Sequence, residues 1–276
     1  MSGASVTVVV PTKNAARTLH ACLESIVSQS VRCSLVVVDC GSHDDTTAIA
    51  SGFADLVLDS IPNVSLQRNL GAQALQGDIV GFVDADMIAG KHVVEQAVEQ
   101  IEAGAGSVVV PERSFGEKYW AKVRTFERSM YQGSLEWPRF FTYDLFEEIG
   151  GYDGGLISME DTDLGLRASA LAKVGRTSDV FLHDEGPLTY RAACRKKIGY
   201  ASGIAAFRRK HGRQAMMAHM RRPYFENPSL LLAQPFLGLG VIALKGGEAA
   251  AVGGRLMFDK ALRPKHQSAI GPTRTE

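Results

Sequence analysis

The sequence lacks most of the features that mark a specialised class of protein. It has no CxxC pair, no histidine partner at zinc-finger spacing, and no basic N-terminal segment followed by a long apolar run. Its four cysteines are Cys22, Cys33, Cys40 and Cys194. These absences argue against a disulfide framework, a zinc finger and an export signal. We therefore predict reduced thiols and a cytoplasmic location.

The sequence also lacks compositional bias. Apolar residues make up 45% of its 276 positions and charged residues 22%, without repeats or low-complexity tracts. This composition argues against disorder, collagen and coiled coil, and the length allows one large or two small domains.

Net charge is absent too, because 30 Lys and Arg balance 30 Asp and Glu, but the two signs are separated along the chain. The segment Gly186–Phe225, called here the basic segment, has ten Lys or Arg and no Asp or Glu. A cationic stretch of this kind suits an anionic membrane surface or the phosphates of a ligand, and a solvated helix face explains it equally well. We predict no nucleic-acid partner, since no aromatic ladder or known binding motif accompanies the charge.

Short β-branched runs alternate with amphipathic stretches over the first hundred residues, a pattern typical of βαβ units. The pattern predicts strands at Val6–Val10, Leu35–Val38, Leu56–Leu58, Ile79–Val83 and Val108–Val110, and helices at Ala15–Ser28, Asp44–Ser51, Val64–Leu75 and His92–Ala103. Strands that are apolar throughout belong to a parallel sheet covered on both faces. After Pro111 the alternation stops, and we expect a less regular half over Phe115–Tyr152.

Acidic and small polar residues follow several of these strands, at the sheet edge where doubly wound folds bind ligands. In GDIVGFVDADM, a buried run ends in Asp84 and Asp86. Two neighbouring carboxylates favour a hard divalent cation such as Mg²⁺ or Mn²⁺, although a solvated turn or helix cap is a simpler explanation of either one. Asp39, after the second strand, suits either a nucleobase N–H or the cap of the next turn.

The second half contributes GGYDGGLISMEDTDLGLR, residues 150–167. Glu160, Asp161 and Asp163 cluster where a helix begins, and the helix dipole accounts for one acid there but not for three. A carboxylate beside a pocket can act as a general base. His183 follows another apolar run and is either a structural histidine or a metal ligand.

With these residues in view, the chain resembles the inverting family 2 glycosyltransferases of the GT-A fold. The resemblance covers roughly Val6–Leu188 and rests on the order and spacing of VVVPTKN, Asp39 with Gly41 and Ser42, QRNLGAQALQGDIVGFVDAD, and GGYDGGLISMEDTDLGLR. It implies an α/β fold of the GT-A (Rossmann-like) type, with a mainly parallel sheet flanked by helices. We expect a nucleotide-sugar-binding half over 1–110, an acceptor-binding half over 111–190, and a basic and apolar C-terminal helical extension over 191–276.

The resemblance also implies roles for individual residues. The residues matched to the nucleotide-sugar site are Pro11, Thr12, Asn14, Asp39, Gly41, Ser42, Gln67, Arg68, Asn69, Asp84, Ala85 and Asp86. Asp86 would be the more direct ligand of Mn²⁺ or Mg²⁺, with Asp84 nearer the ribose or a bound water and His183 as a further ligand. Asp161 matches the catalytic base, and Glu160 would orient the acceptor or the loop. Trp137, Arg139 and Asp163 are expected to contact the acceptor.

The predicted reaction is transfer of a single sugar from a UDP or GDP type donor to a hydroxyl acceptor, since the chain has neither a QxxRW motif nor a set of long transmembrane helices. A non-catalytic nucleotide-sugar-binding protein is one alternative. A sugar nucleotidyltransferase is another, but it needs a GxGxR type loop, which PTKNAAR is not.

The apolar run Leu230–Leu244 follows the basic segment. Fifteen helical residues would span only about 22 Å of a roughly 30 Å hydrocarbon core, and Pro235 interrupts them, so we predict no membrane span. Peripheral binding to the cytoplasmic leaflet, with a lipid-linked or cell-envelope glycan precursor as acceptor, competes with homodimer or intramolecular packing through this segment.

Overall fold

The structure is a computed structural model that describes residues 4–131, 133, 136–220 and 222–261. The end of the extension predicted over 191–276 therefore lies outside the described residues. Within them, the strands are β1 (Val6–Thr12), β2 (Ser34–Asp39), β3 (Leu56–Asp59), β4 (Ile79–Phe82), β5 (Met87–Ala89), β6 (Ser107–Val109), β7 (Glu112–Phe115), β8 (Pro138–Thr142), β9 (Val174–Arg176) and β10 (Phe181–Asp184). The helices are α1 (Ala16–Val27), α2 (Thr46–Ser51), α3 (Val64–Ala74), α4 (Val93–Glu102), α5 (Tyr119–Ser129), α6 (Tyr143–Glu148), α7 (Glu160–Leu171), α8 (Tyr190–Met220), α9 (Pro223–Glu226) and α10 (Pro235–Ala261).

Seven strands form the central sheet in the order β3-β2-β1-β4-β8-β6-β9. Neighbouring strands are parallel except for the two pairs that β8 makes, with β4 and with β6. A smaller sheet, β5-β10-β7, lies beyond the ends of these strands. The predicted α/β fold with a mainly parallel sheet is confirmed.

The five strands and four helices predicted in the first 110 residues are confirmed, with bounds that differ by no more than two residues. Of the five, β1, β2, β4 and β6 are buried on both faces, as a covered parallel sheet requires, whereas β3 at the sheet edge is half-buried. Along β1, Val8 and Val10 join one core cluster while Val9 joins the other. This alternation between two helical layers leaves no strand face for solvent.

The sequence pattern missed five strands, β5 before Pro111 and β7–β10 after it, so strands and helices continue through the half that we expected to be less regular. They are three to five residues long, and all but β5 carry a charged residue, so no long apolar run marks them. The most consequential is β8, which lies between β4 and β6. A Cβ on Gly81 would lie 2.3 Å from Phe140 Cε1, so only glycine lets these two strands pair with the ring between them.

The C-terminal helices form a layer against α5. α8 is kinked at Gly212, which has a φ of 82°, and α10 packs along α8 and α5. The prediction that Pro235 interrupts a helix over Leu230–Leu244 is confirmed, because a 3-10 helix over Pro228–Ala233 ends before it and α10 begins at Pro235, where the missing N–H breaks no helical bond. The 21 residues Pro235–Arg255 are long and apolar enough to cross a membrane by length and composition alone.

Candidate functional site

The carboxyl ends of β1 and β2 carry a rigid arrangement of polar groups. The carboxylate of Asp39 accepts hydrogen bonds from Thr12 Oγ1 at 2.9 Å and from the backbone N–H and hydroxyl of Ser42 at 2.8 and 2.6 Å. Burial alone would raise the pKa of Asp39, but these donors lower it. Asn14 links the loop after β1 to the loop after β2. Its backbone N–H donates to Ser42 Oγ, and its side-chain Oδ1 accepts from the His43 N–H.

Three other residues predicted for the nucleotide site lie at the same sheet edge. Pro11, in β1, is buried, Gly41 has a left-handed φ of 75°, and Ala85 lies half-buried between Asp84 and Asp86. Left-handed backbone suits glycine, because it has no Cβ to clash.

Helix α3 places Gln67, Arg68 and Asn69 at this edge, but they have different tasks. The amide of Gln67 donates to the carbonyls of Thr12 and Val38, joining the ends of β1 and β2. The amide of Asn69 bonds the backbone of Tyr152 in both directions, at 2.8 and 2.9 Å. Both amides thus hold backbone segments in place. Of the three side chains, Arg68 is the one that contacts the acidic residues described next.

A cluster of buried charge, called here the crevice cluster, joins the two halves of the sheet. It comprises Arg68, Arg139, Asp84, Glu112, Glu160 and Asp161. Arg68, with only 2% of its surface exposed, contacts Asp84 at 2.6 Å, Asp161 at 3.1 Å and Glu160 at 3.3 Å. Arg139 contacts Glu112 at 2.8 Å, Asp84 at 3.3 Å and Asp161 at 3.6 Å. Two cations therefore face four carboxylates.

Asp161 lies in the first turn of α7, behind a turn that the glycines make possible. A Cβ on Gly151, which has a φ of 63°, would lie 2.8 Å from Asn69 Oδ1. The Tyr152 hydroxyl donates to Asp161 Oδ1 at 3.1 Å, and the Arg68 guanidinium lies 4.9 Å from the centre of the same ring. Burial, and then the charge of Asp161, raise the pKa of Glu160. The two adjacent acids thus have different environments.

Asp84 and Asp86 differ sharply in what they contact. Both oxygens of Asp84 face arginines, Arg68 and Arg139, which hold its pKa well below its usual range despite burial. Asp86 is 41% exposed, and its Oδ2 lies 3.4 Å from Nε2 of His183. Burial alone would lower the pKa of His183, but hydrogen bonds with Asp86 and Glu112 raise it to about 9.

This geometry bears on the predicted metal ligands. Asp86 and His183 are brought together, whereas Asp84 is engaged by arginine. Within the part of the chain that the structure describes, no group of three or more His, Cys, Asp or Glu side chains is arranged to hold a metal ion. An ion at this place would take two protein ligands and complete its shell from elsewhere.

The predicted acceptor residues lie in three different settings. Trp137 is half-buried against Gly165 of α7. Arg139 lies within the crevice cluster instead of on an open wall. Asp163 has no exposed side-chain surface and contacts Arg167, Lys210 and His211, so it ties α7 to α8. These contacts disfavour direct binding of an acceptor by Asp163.

Sequence reasoning missed Glu112 and Arg128. Glu112 follows β6 by three residues and bridges Arg139 to His183, and Arg139 and Arg128 help to lower its pKa to about 2 against the effect of burial. Its place just after an apolar run was a usable signal. Arg128, 2.7 Å from His183 Nδ1, sits within α5 with no signal of its own.

The family model described as Glycosyl transferase family 2 matches residues 7–157, more than half of the chain. The chain belongs to this family. The match includes Asp39, Arg68, Asp84 and Asp86 and ends just before Glu160 and Asp161.

Curated relatives agree with the family assignment. The chain is 25% identical over 185 residues to glycosyltransferase AglE of Haloferax volcanii, covering 59% of this chain and 61% of AglE. It is 26% identical over 175 residues to glycosyltransferase GlyA of Streptococcus pneumoniae, covering 52% of this chain and 25% of GlyA. The matched region thus spans less than two thirds of either relative.

Solved structures agree with the fold. The mannosyltransferase PcManGT of Pyrobaculum calidifontis, in complex with GDP-Man and Mn²⁺, has a TM-score of 0.55 at 19% identity and covers 95% of this chain and 81% of its own. TarS 1-349 of S. aureus, in complex with UDP-GlcNAc, has a TM-score of 0.53 at 16% identity, covering 93% and 92%. The GT-A fold of this family 2 chain is thereby established.

Proposed function

We propose that this protein is a metal-dependent, inverting glycosyltransferase that moves a single hexose-type sugar from a UDP or GDP sugar to a hydroxyl acceptor. The observation that carries the proposal is the crevice cluster, where Asp84 and Asp161 share two buried arginines while Asp86 stays open beside them. The free cysteines fit a reducing compartment, so we place the reaction in the cytoplasm or at the cytoplasmic face of a membrane.

The donor site follows from the sheet edge. Thr12, Asn14, Asp39 and Ser42 fix a polar edge for the nucleoside. Nη1 of Arg139 has no hydrogen-bond partner among the described residues, which leaves a buried donor for an anionic ligand. The PcManGT and TarS structures hold GDP and UDP sugars, which supports a donor of either type.

The residues present fit a divalent ion. Mg²⁺ and Mn²⁺ accept one or two carboxylates with substrate phosphates and waters, and imidazole suits several first-row metals. Asp86 and His183 would hold the ion, with the imidazole losing its proton on binding, and the ion would supply Lewis-acid chemistry at the departing diphosphate. The Mn²⁺ in the PcManGT complex supports this choice of ion.

Asp161 is proposed to take the proton of the attacking hydroxyl. Its carboxylate is 23% exposed, and Arg68, Arg139 and the Tyr152 hydroxyl fix its position. A single displacement from the face opposite the leaving group inverts the anomeric centre, and no covalent nucleophile is needed. Glu160, next to the base, would orient the acceptor.

The test is a thermal-shift panel of UDP, GDP, dTDP, CDP and ADP, with and without Mn²⁺, on the wild type and on Asp86→Ala. One nucleotide should raise the melting temperature only with Mn²⁺, because ligands that bind the folded state stabilise it. Asp86→Ala should lose most of this shift. Glu95→Ala, which removes a partly exposed acid on α4, is the matched control and should keep the shift.

Stabilisation by one nucleotide to the same degree without the ion would contradict metal dependence. Stabilisation by none would contradict the donor site. For the nucleotide that binds, NMR of the product formed from its sugar tests inversion, since retention at the anomeric carbon rules out a single displacement.

A further inference from the structure

The first turns of helix α10 are inverted relative to an ordinary surface helix, because the charged residues there, Lys245 and Glu248, face the protein. Lys245 contacts Glu127 of α5 at 2.6 Å, and Glu248 pairs with Lys245 at 2.9 Å and with Arg124. Glu127 and Glu248 are 1% and 5% exposed. These four residues, Arg124, Glu127, Lys245 and Glu248, are called the helical cluster. Its balanced charges fix α10 to α5.

The outward face of α10 carries no charge from Phe236 to Ala250, about four turns. Phe236 is 84% exposed, Leu239 65% and Ile242 57%, and the three-residue spacing places them on one side. We call these three residues the apolar ridge. The exposed positions that follow are Ala243, Gly246, Ala249 and Ala250. Large side chains this open to water are costly in a run, and the run predicts a covering partner.

The surroundings of the ridge suit a lipid interface. The Tyr119 hydroxyl donates to the carbonyl of Phe236, and Tyr119, Trp120 and Tyr190 form a chain of ring contacts beside α10. Tyrosine and tryptophan favour the boundary between headgroups and acyl chains, because one end of each ring system is polar. Leu232, just before α10, is 72% exposed.

Positive charge lies next to the ridge. The first turns of α8 pack on α10, since the Tyr190 hydroxyl donates to the carbonyl of Ala243 and Cys194 lies against Gly247. The same turns expose Arg191, Arg195 and Lys196. The basic segment has no acidic residue to offset them. Each basic residue near an anionic bilayer contributes about 1 kcal/mol to binding.

We propose that the apolar ridge and the start of the basic segment dock this protein on an anionic membrane surface, with α10 lying in the plane of the headgroups. α10 cannot leave the domain to cross the bilayer without breaking the helical cluster. A two-fold dimer through the ridge would bring two basic segments together, which disfavours a second copy as the partner. If the proposed function holds, the acceptor hydroxyl belongs to a membrane lipid.

The test is flotation of the full chain with vesicles of phosphatidylcholine, with and without phosphatidylglycerol. The variant Phe236→Glu/Leu239→Glu removes the ridge, and Val27→Glu/Leu171→Glu is the matched control, since those side chains are 53% and 59% exposed elsewhere. We expect binding to anionic vesicles that falls about tenfold or more in the ridge variant and is unchanged in the control. Melting temperatures should stay within a few degrees, because no core residue changes.

No binding of the wild type to anionic vesicles, or equal binding of the ridge variant, would overturn the proposal. A wild-type dimer on gel filtration that the ridge variant dissociates, without vesicle binding, would assign the ridge to a second copy instead. Asp161→Asn should bind vesicles like the wild type. Loss of turnover and loss of docking are therefore separate results.

Discussion

The crevice cluster and the helical cluster are built from the same kinds of residue but differ in their balance of charge. The helical cluster sets two cations against two carboxylates, and its Glu127 and Glu248 are almost fully buried. The crevice cluster sets Arg68 and Arg139 against four carboxylates, with Arg128 3.7 Å from Glu112 and Asp86 open at its side. Buried charge in balance needs nothing further, whereas an excess of one sign is stabilised by a ligand of the other.

The largest effect should come from the crevice. Asp161→Asn keeps the shape of the side chain but removes the proposed base, so kcat should fall by about 10² to 10⁴-fold. Binding of the nucleotide with Mn²⁺ should change little. Steady-state kinetics and the thermal-shift panel measure both quantities.

The matched control is Asp153→Asn, which makes the same change eight residues earlier, at a carboxylate paired with Lys210. Its kcat should stay within a few-fold of the wild type. Equal losses in the two variants would show that the loop is sensitive to any lost acid and would remove the argument for Asp161.

The next effect should be on stability. Glu127→Ala leaves Lys245 and Arg124 with one carboxylate in place of two, and breaking a buried pair in this way costs about 3 kcal/mol. Urea denaturation measures the loss. Glu102→Ala, an exposed glutamate on α4, should change stability by less than about 0.5 kcal/mol.

A double variant tests whether the balance of charge accounts for the stability that Glu127 supplies. Glu127→Gln combined with Lys245→Met removes one charge of each sign and restores the balance, so at least half of the loss in Glu127→Ala should be recovered. A double variant that is less stable than Glu127→Ala would mean that packing, not balance, is what Glu127 supplies.

The smallest effect concerns Lys197, an extra cation beside the balanced helical cluster. Burial lowers its pKa from the usual 10.5 to about 8. Below pH 8 the folded protein bears the cost of a charged, partly buried lysine, and stability rises between pH 8 and 10.5, where only the unfolded chain still holds the proton. Lys197→Met should therefore be more stable than the wild type by about 1 kcal/mol at pH 7, and the gain should fade by pH 10.

Urea denaturation at the two pH values gives the comparison, with the exposed neighbour Lys196→Met as control. If Lys197→Met raised the free energy of unfolding equally at both pH values, the gain would come from added apolar contact and not from the removal of a buried charge.

The first half of the sheet was predictable from sequence because β1, β2 and β4 are continuous apolar runs with polar residues directly after them. The same rule placed Asp39, Asp84 and Asp86 at one edge. The contact of Arg139 with Asp84 was not predictable, because it depends on the insertion of β8 beside β4. The inverted face of α10 escaped prediction for a similar reason. Lys245 and Glu248 look like surface residues until α5 is packed against them.

The position of β8 also sets the order in which the protein can fold during its synthesis. Both sheet neighbours of β6 come later in the chain, and the edge of β4 stays unpaired until Thr142 has been made, about 60 residues after β4 ends. At about 5–20 residues per second, this apolar edge waits for roughly 3 to 12 s. A nascent chain that ends near residue 110 therefore holds an open strand edge instead of a finished half. The topology therefore leaves this apolar edge exposed to aggregation for as long as β8 has not been made.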